Sequence, residues 1–187
     1  MDREKIVAGV RQILEGIGED SGREGLRRTP ERVAEAYAEI FSGIGRPFAE
    51  EIRVYDVENH DEMVVAREIP FYSVCEHHLL PFFGHAHVAY IPDGNRITGV
   101  SNLVTMLEAA ARRPTIQERL TTEVCEALME ALEPLGVLVL VEAEHLCMTM
   151  RGVKKPGSQI VTSAMRGQLR EEASRLEALH HIYGGRG

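Results

Sequence analysis

Residues 84–91 read GHAHVAYI, and residues 137–143 read VLVLVEA. The first stretch alternates polar with small or apolar side chains and ends at the turn-forming residues 92–95 (PDGN), which predicts a strand with one buried face. The second stretch is apolar at nearly every position, which is typical of a strand covered on both faces. Together they predict the interior of a β-sheet.

The segments on either side of these two stretches extend the sheet and cover it. Further strand patterns occur at residues 52–58, 63–69, 145–151 and 159–165. Apolar residues at helical spacing predict helices before, between and after the strands. These helical segments are residues 6–17, 29–41, 101–113, 116–132 and 171–181.

The order of the elements decides the fold class. Strands and helices are grouped rather than strictly alternating, which favours an α+β fold with an antiparallel sheet over a doubly wound one. We therefore expect a helical N-terminal region over residues 1–50, followed by a sheet domain over residues 51–187.

Composition excludes several classes of protein. The chain has 187 residues, a formal net charge of −8 and three cysteines. The acidic balance argues against a protein that coats nucleic acid, and so few cysteines argue against a disulfide framework. Neither a signal peptide nor a membrane-spanning run is recognisable, so the sequence predicts a cytoplasmic protein.

Two short clusters carry residues capable of metal chemistry. Cys75-Glu76-His77-His78 lies between two predicted strands, and His145-Leu146-Cys147 begins a predicted strand. Thiolate and imidazole are the ligands that zinc prefers. Residues two apart on a strand share a face, so His145 and Cys147 are expected to project together.

A catalytic zinc site keeps three protein ligands and leaves one position for water. We interpret Cys75, His78 and Cys147 as the ligands, which leaves His77 and His145 for proton transfer. The spacing alone does not decide which histidines bind the metal, and buried free cysteines are often inert.

A basic loop follows the second cluster. Residues 151–158 read RGVKKPGS, with three cations in a chain that is acidic overall. A loop of this kind beside a metal site favours an anionic substrate. The alternative interpretation is a solvated loop with no binding role.

Several of these motifs resemble the GTP cyclohydrolase I family. The matching segments are CEHHLLPFFGHAHVAYIP from Cys75, QERLT from Gln117 and EAEHLCMTMRGV from Glu142. Weaker agreement covers TPERVAEAY from Thr29, ENHDEMV from Glu58 and VTSAMRG from Val161. In the family's order, these segments span nearly the whole chain.

The resemblance implies a fold, an assembly and a reaction. It implies the tunnelling fold, in which two helices are inserted between strand pairs of an antiparallel sheet. It also implies a homo-oligomer, commonly a decamer, with active sites at subunit boundaries. The implied reaction opens the imidazole ring of GTP at C8 with zinc, releases formate and forms 7,8-dihydroneopterin triphosphate.

The resemblance also assigns roles to particular residues. His145 would protonate the ring nitrogen, with His77 assisting proton transfer. Glu118 would accept hydrogen bonds from guanine, with Gln117 beside it. The remaining substrate contacts would come from Ser101, Arg151 and Arg32.

One segment departs from the family pattern. Where the family usually has G-L-S-K-x-x-R, residues 99–105 read GVSNLVT, so Asn102 and Thr105 replace a lysine and an arginine. This difference leaves two explanations open. One is a GTP enzyme with rearranged phosphate contacts, and the other is a diverged member that acts on a guanine nucleotide with fewer phosphates or in a specialised pterin or deazapurine pathway. Two further alternatives are a non-catalytic zinc-binding regulatory or scaffold subunit, and a fold relative that reduces or cyclises a pterin-like substrate.

Overall fold

The computed structural model describes residues 1–58 and 60–184. These residues fall into two compact units, Met1–Ser42 and Gly43–Gly187. Six α-helices and seven strands lie in the described residues.

The first unit is a pair of helices, α1 (Arg3–Gly16) and α2 (Thr29–Ile40). Asp2 caps α1, because its carboxylate accepts a hydrogen bond from the Lys5 amide. Pro30 occupies the first turn of α2, where its missing N–H costs nothing. Exposed ion pairs join the two helices, and these are Arg3–Glu35 and Arg11–Glu31.

The second unit contains the remaining elements. Its strands are β1 (Val54–Asp56), β2 (Val64–Cys75), β3 (Pro81–Ile91), β4 (Arg96–Thr98), β5 (Pro114–Thr115), β6 (Gly136–His145) and β7 (Gln159–Gly167). Its helices are α3 (Val100–Ala111), α4 (Gln117–Leu132), α5 (Leu146–Thr149) and α6 (Glu172–Tyr183).

The main sheet has five strands in the order β5-β2-β3-β6-β7. Neighbouring strands are antiparallel except for β5, which pairs with the end of β2 in parallel. A separate two-stranded sheet joins β1 to β4. The α+β class predicted from the sequence is confirmed, and α3 and α4 lie in the chain between β3 and β6.

Both faces of the sheet are covered, which explains the apolar sequence of β6. Val137, Val139 and Val141 belong to a core with α3 and α4, whereas Leu138 and Leu140 pack with α6. All five side chains are at most 5% exposed. A strand buried on both faces cannot alternate apolar with polar residues.

The predicted strand at residues 145–151 is wrong. β6 ends at His145, and α5 follows immediately over Leu146–Thr149. The expectation that His145 and Cys147 share one strand face therefore fails as well. The main sheet also extends beyond the predicted bounds, because β2 continues to Cys75 and β3 begins at Pro81.

Within the described residues, no helix has the length and apolar character needed to cross a membrane.

The backbone of β6 lies close to Gly84 in β3. A Cβ atom there would lie 1.9 Å from the Glu142 carbonyl oxygen of β6. We expect Gly84→Ala to lower the free energy of unfolding by about 1–3 kcal/mol or more, because the two strands must separate. Urea denaturation measures this loss.

Gly9→Ala is the matched control, since nothing lies within 4 Å of its Cβ position in α1. It should leave stability unchanged or raise it by up to about 1 kcal/mol. Equal stability of the Gly84→Ala variant and the native chain would contradict the packing described here.

Candidate metal centre

The candidate site forms where β2 and β6 end on either side of β3. In the register of the sheet, Val74 pairs with Pro81, and Phe82 pairs with His145. The chain segments that follow β2 and β6 therefore leave the sheet at the same end of its strands. Two sequence clusters that are about seventy residues apart meet here.

A tight turn carries the first cluster. The Cys75 amide donates to the Leu80 carbonyl, and the Leu79 amide donates to the Cys75 carbonyl, both at 2.9 Å. Leu79 adopts φ +52°, a left-handed conformation that closes the turn. Arg119 of α4 holds the Glu76 carboxylate with two hydrogen bonds of 2.5 and 3.2 Å. These contacts fix the direction in which the following histidines leave the sheet.

The predicted metal ligands come together. One ligand atom each from Cys75, His78 and Cys147 lies within 4.8 Å of the other two, so the cluster could hold a metal ion. Ligand atoms around one tetrahedral zinc ion lie about 3.3–3.8 Å apart. A contraction of about 1 Å would therefore close this triangle around an ion. The ligand types and the spacing both fit zinc.

Without a bound cation, the electrostatics of the cluster favour the neutral form of the Cys147 thiol. Burial raises the pKa of the Cys147 thiol, the adjacent Cys75 thiol raises it further, and Arg151 acts in the opposite direction. A divalent cation between the two sulfurs reverses this preference, because metal coordination stabilises thiolates. The Arg151 guanidinium itself donates a hydrogen bond to His78 Nε2 at 3.0 Å. The basic loop therefore reaches the cluster.

His145 lies beside the cluster in a defined orientation. Its ring stacks on Phe82, with centroids 4.7 Å apart and planes 4° from parallel. Its Nε2 atom lies 2.7 Å from the Gln117 amide oxygen, so this nitrogen carries the proton and donates. Burial lowers the pKa of His145, and the Glu118 carboxylate opposes part of that shift. The neutral ring keeps its lone pair on Nδ1.

The amide of Gln117 fixes that orientation. Gln117 is fully buried at the start of α4, and its Nε2 atom donates to the carbonyls of Val141 and Ile160, each at 2.9 Å. Thr162 Oγ1 lies 3.1 Å from the same nitrogen. The amide cannot flip without losing these acceptors, so its oxygen must face His145.

The other predicted site residues occupy different settings. His77 is exposed, with its ring centroid 6.4 Å from that of His78. Glu118 is exposed in the first turn of α4, close enough to act on the pKa of His145. Ser101 is exposed in the first turn of α3, and Arg32 is exposed in α2 of the first unit.

Sequence reasoning missed two features of the site. The first is the stacking of Phe82 on His145, and the second is the bonding of Arg119 to Glu76. The strand period could have placed Phe82 on the buried face, but the register that sets it opposite His145 depends on the folded sheet. No sequence spacing indicates the Arg119 contact, which joins positions 43 residues apart.

With the geometry established, comparisons with known proteins define the class. A family model described as GTP cyclohydrolase I matches residues 6–183. GTP cyclohydrolase 1 of Bacillus subtilis is 54% identical over 183 residues, covering 97% of this chain and 96% of that protein. The Clostridioides difficile protein of the same name is 56% identical over 184 residues, covering 97% of each.

The chain belongs to the GTP cyclohydrolase I family and is an enzyme of that type. The resemblance inferred from the sequence motifs is confirmed. Among solved structures, an archaeosine synthase QueF-like protein in the apo form is similar over 56% of this chain and 93% of its own. Its TM-score is 0.45 and its sequence identity is 21%.

The buried Gln117 amide yields a test of the site's architecture. We expect Gln117→Leu to lower the free energy of unfolding by about 1–3 kcal/mol, because two carbonyls lose their donor in a buried setting. The His145 ring should also lose its fixed tautomer, which ¹⁵N NMR of the imidazole would detect.

Thr122→Val is the control on the same helix, at an exposed side chain. Its stability should stay within about 0.5 kcal/mol of the native chain. An unchanged imidazole spectrum in Gln117→Leu would contradict the role assigned to the amide.

Proposed function

We propose that this chain is a zinc-dependent hydrolase that opens the imidazole ring of GTP at C8, releases formate and forms 7,8-dihydroneopterin triphosphate. The observation that carries the proposal is the juxtaposition of a Cys75–His78–Cys147 cluster with His145, whose Nδ1 is left for proton transfer. The family membership of the chain supports the same reaction.

Cys75, His78 and Cys147 would hold the zinc ion, which leaves a position for water. When bound, zinc supplies a Lewis acid that lowers the pKa of such a water to about 7. Glu76, tied to Arg119, keeps the turn that presents Cys75 and His78 in place.

His145 would transfer the proton. Because burial favours its neutral form, the ring first accepts a proton at Nδ1 and then delivers it to the purine nitrogen released when the ring opens. Gln117 acts as a positioning residue in this scheme, since its oxygen holds Nε2–H. His77, exposed beside His78, would assist proton transfer. A general acid–base group of this kind contributes about 10²–10⁴-fold.

Substrate recognition would come from residues around the cluster. Glu118 is exposed close to His145, and its carboxylate suits the N–H donors of guanine. Gln117 has protein partners for its amide, so it would act on the base indirectly, through His145. Arg151 is already at the cluster and would bind a phosphate, and Ser101 would provide a further phosphate contact. The phosphate role of Arg32, which lies in the first unit, rests on the family resemblance alone.

We further propose the tunnelling-fold arrangement for the domain of residues 51–187, assembled as a homo-oligomer such as a decamer. β7 pairs with β6 on one side, and β2 has a second partner only at Val74 and Cys75. The outer edges of β2 and β7 thus carry backbone groups without a strand partner in the described chain. Such edges readily pair with another chain.

A cytoplasmic location belongs to the same proposal. All three cysteines are free thiols, and two of them are proposed metal ligands. Free thiols of this kind persist in reducing compartments.

One observation favours a second candidate, an enzyme for guanine nucleotides with fewer phosphates. At the start of α3, the Asn102 amide donates to Thr98 Oγ1 at 3.2 Å, and the Thr105 hydroxyl donates to the Ser101 carbonyl at 2.9 Å. Both side chains are neutral and have local partners. The segment that carries a lysine and an arginine in the family therefore offers no cation at these positions.

The ring-opening proposal predicts zinc content and activity together. Zinc-loaded protein should carry about one zinc per chain and produce formate and a fluorescent pterin from GTP. His145→Ala should keep its zinc but lose about 10²–10⁴-fold in turnover, because only proton transfer is removed. Cys147→Ser should lose both zinc and turnover.

His180→Ala, at an exposed histidine of α6, is the control and should retain zinc and turnover. Full activity in the metal-free protein would refute the assignment of the metal centre. Full activity in His145→Ala would remove that residue's role.

Measuring KM for guanine nucleotides with different numbers of phosphates distinguishes between the two candidate substrates. With GTP, GDP, GMP and guanosine, the paired change Asn102→Lys and Thr105→Arg should lower KM for GTP by about tenfold or more, since charged hydrogen bonds contribute about 1.5–3 kcal/mol each. KM for guanosine should not change. An unchanged KM for GTP would mean that the triphosphate does not reach α3.

A further inference from the structure

A pair of hydroxyl groups lies behind the Gln117 amide, where α4 packs against β7. Thr121 is 1% exposed on α4, one helical turn after Gln117. Thr162 of β7 faces the same helix, since it lies two residues before Ala164, a member of the core formed with α3 and α4. The two hydroxyl oxygens are 2.6 Å apart. Hydroxyl groups in an apolar interior lower stability unless they are hydrogen-bonded, so each of them needs a partner.

The hydrogens of this hydroxyl pair can point in only one direction. The Thr121 hydroxyl donates to the Gln117 backbone carbonyl at 2.7 Å, and a carbonyl oxygen can only accept. The single hydrogen of Thr121 is therefore used, so the short bond between the two hydroxyls takes its hydrogen from Thr162. Thr162 Oγ1 is then left as an acceptor for the Gln117 side-chain nitrogen, which lies 3.1 Å away.

These hydrogen bonds form one chain that starts at the imidazole of His145. The ring donates through Nε2 to the Gln117 amide oxygen, and the amide nitrogen donates to Thr162. Thr162 donates to Thr121, whose own hydrogen ends the chain at the backbone carbonyl of Gln117. Every donor points away from the ring, and hydrogen bonds aligned in this way polarise and strengthen one another.

We propose that Thr162 and Thr121 are positioning residues that keep the proton of His145 on Nε2. The inference rests on the proposed function, in which Nδ1 has to be unprotonated before it accepts a proton. Both threonines act through the Gln117 amide, which is the group that contacts the ring. If that amide were flipped, its nitrogen would donate to Nε2, and the ring would have to carry its proton on Nδ1.

The hydroxyl pair adds a restraint to the one that the sheet supplies. The carbonyls of Val141 and Ile160 also accept from the Gln117 nitrogen, and both oppose a flipped amide. A lone hydroxyl at Thr162 would not oppose it, because a hydroxyl can rotate and donate to the amide oxygen instead. Thr121 removes that option by using the Thr162 hydrogen. Both threonines are therefore needed for Thr162 to select one orientation of the amide.

Turnover and the ¹⁵N spectrum of the imidazole, measured on zinc-loaded protein, test this inference. We expect Thr162→Val to keep about one zinc per chain and an unchanged KM for GTP, with kcat about threefold to tenfold lower, because one hydrogen bond that orients the amide is lost. The fraction of the ring protonated on Nε2 should fall. Thr162→Ser keeps the hydroxyl and should restore both kcat and the spectrum.

The partner threonine supplies an independent test from the other element. Thr121→Val should lower kcat and the Nε2-protonated fraction in the same direction as Thr162→Val. The double variant should lose about as much as either single variant, because the two changes remove the same restraint. Losses that simply multiply would overturn the proposed chain. Thr121→Val also decides the question where Thr162→Val does not fold.

Thr122→Val is the matched control, since the Thr122 hydroxyl also donates to a carbonyl one turn earlier in α4 but is exposed. It should keep the native kcat and spectrum. An unchanged spectrum and kcat in Thr162→Val, with or without a loss of stability in urea, would overturn the inference, as would a Thr162→Ser variant no better than Thr162→Val. Failure of the native chain to open GTP would refute the proposed function instead, and the ¹⁵N spectra would still show whether the threonines fix the proton.

Discussion

The buried amide of Gln117 is the contact on which the site depends. It lies at the first residue of α4 and bonds β6 and β7 through two carbonyls, so it joins a helix to two strands. The same amide presents its oxygen to His145. If this buried amide were unpaired, the free energy lost would exceed what its hydrogen bonds contribute to stability. The positions of α4, the two strands and the His145 ring therefore depend on one another. Packing and chemistry are therefore coupled through one side chain.

The metal ligands depend on a different feature, the ends of the strands. Cys75 is the last residue of β2, and Cys147 lies in α5 directly after β6. The strand β3 lies between those two ends and fixes their spacing. The tight turn at Leu79 keeps His78 close to Cys75. The rigid interior of the sheet thus supports a metal cluster that lies at the turns after β2 and β6. Functional residues often lie at such turns on a rigid scaffold.

Much of this organisation could be predicted from the sequence, and the failures have physical causes. Helix spacing and the apolar run at residues 137–143 gave α3, α4 and β6, because propensity and packing agree there. The run after His145 alternates like a strand but lies in α5, since the sheet ends and the chain must turn towards the cluster. Gln117 reads as an exposed polar residue at a helix start, and its burial depends on carbonyls of strands far along the chain. The residue types of Cys75, His78 and Cys147 indicated a metal, but their proximity depends on the register of β3.

The open edges of the sheet have a consequence for how copies of this chain can meet. Within the described residues, the outer edge of β7 and most of the outer edge of β2 have no strand partner. These edges lie on opposite sides of the sheet and differ in sequence, so a contact between them would be head-to-tail and would leave one free edge at each end of the pair. Adding further copies would leave one free edge at each end of the assembly unless the copies closed into a ring. The twist and curvature of the five strands would then set the number of copies in a closed ring. An incomplete ring would keep an unpaired strand edge at each end, and each edge could still pair with another chain.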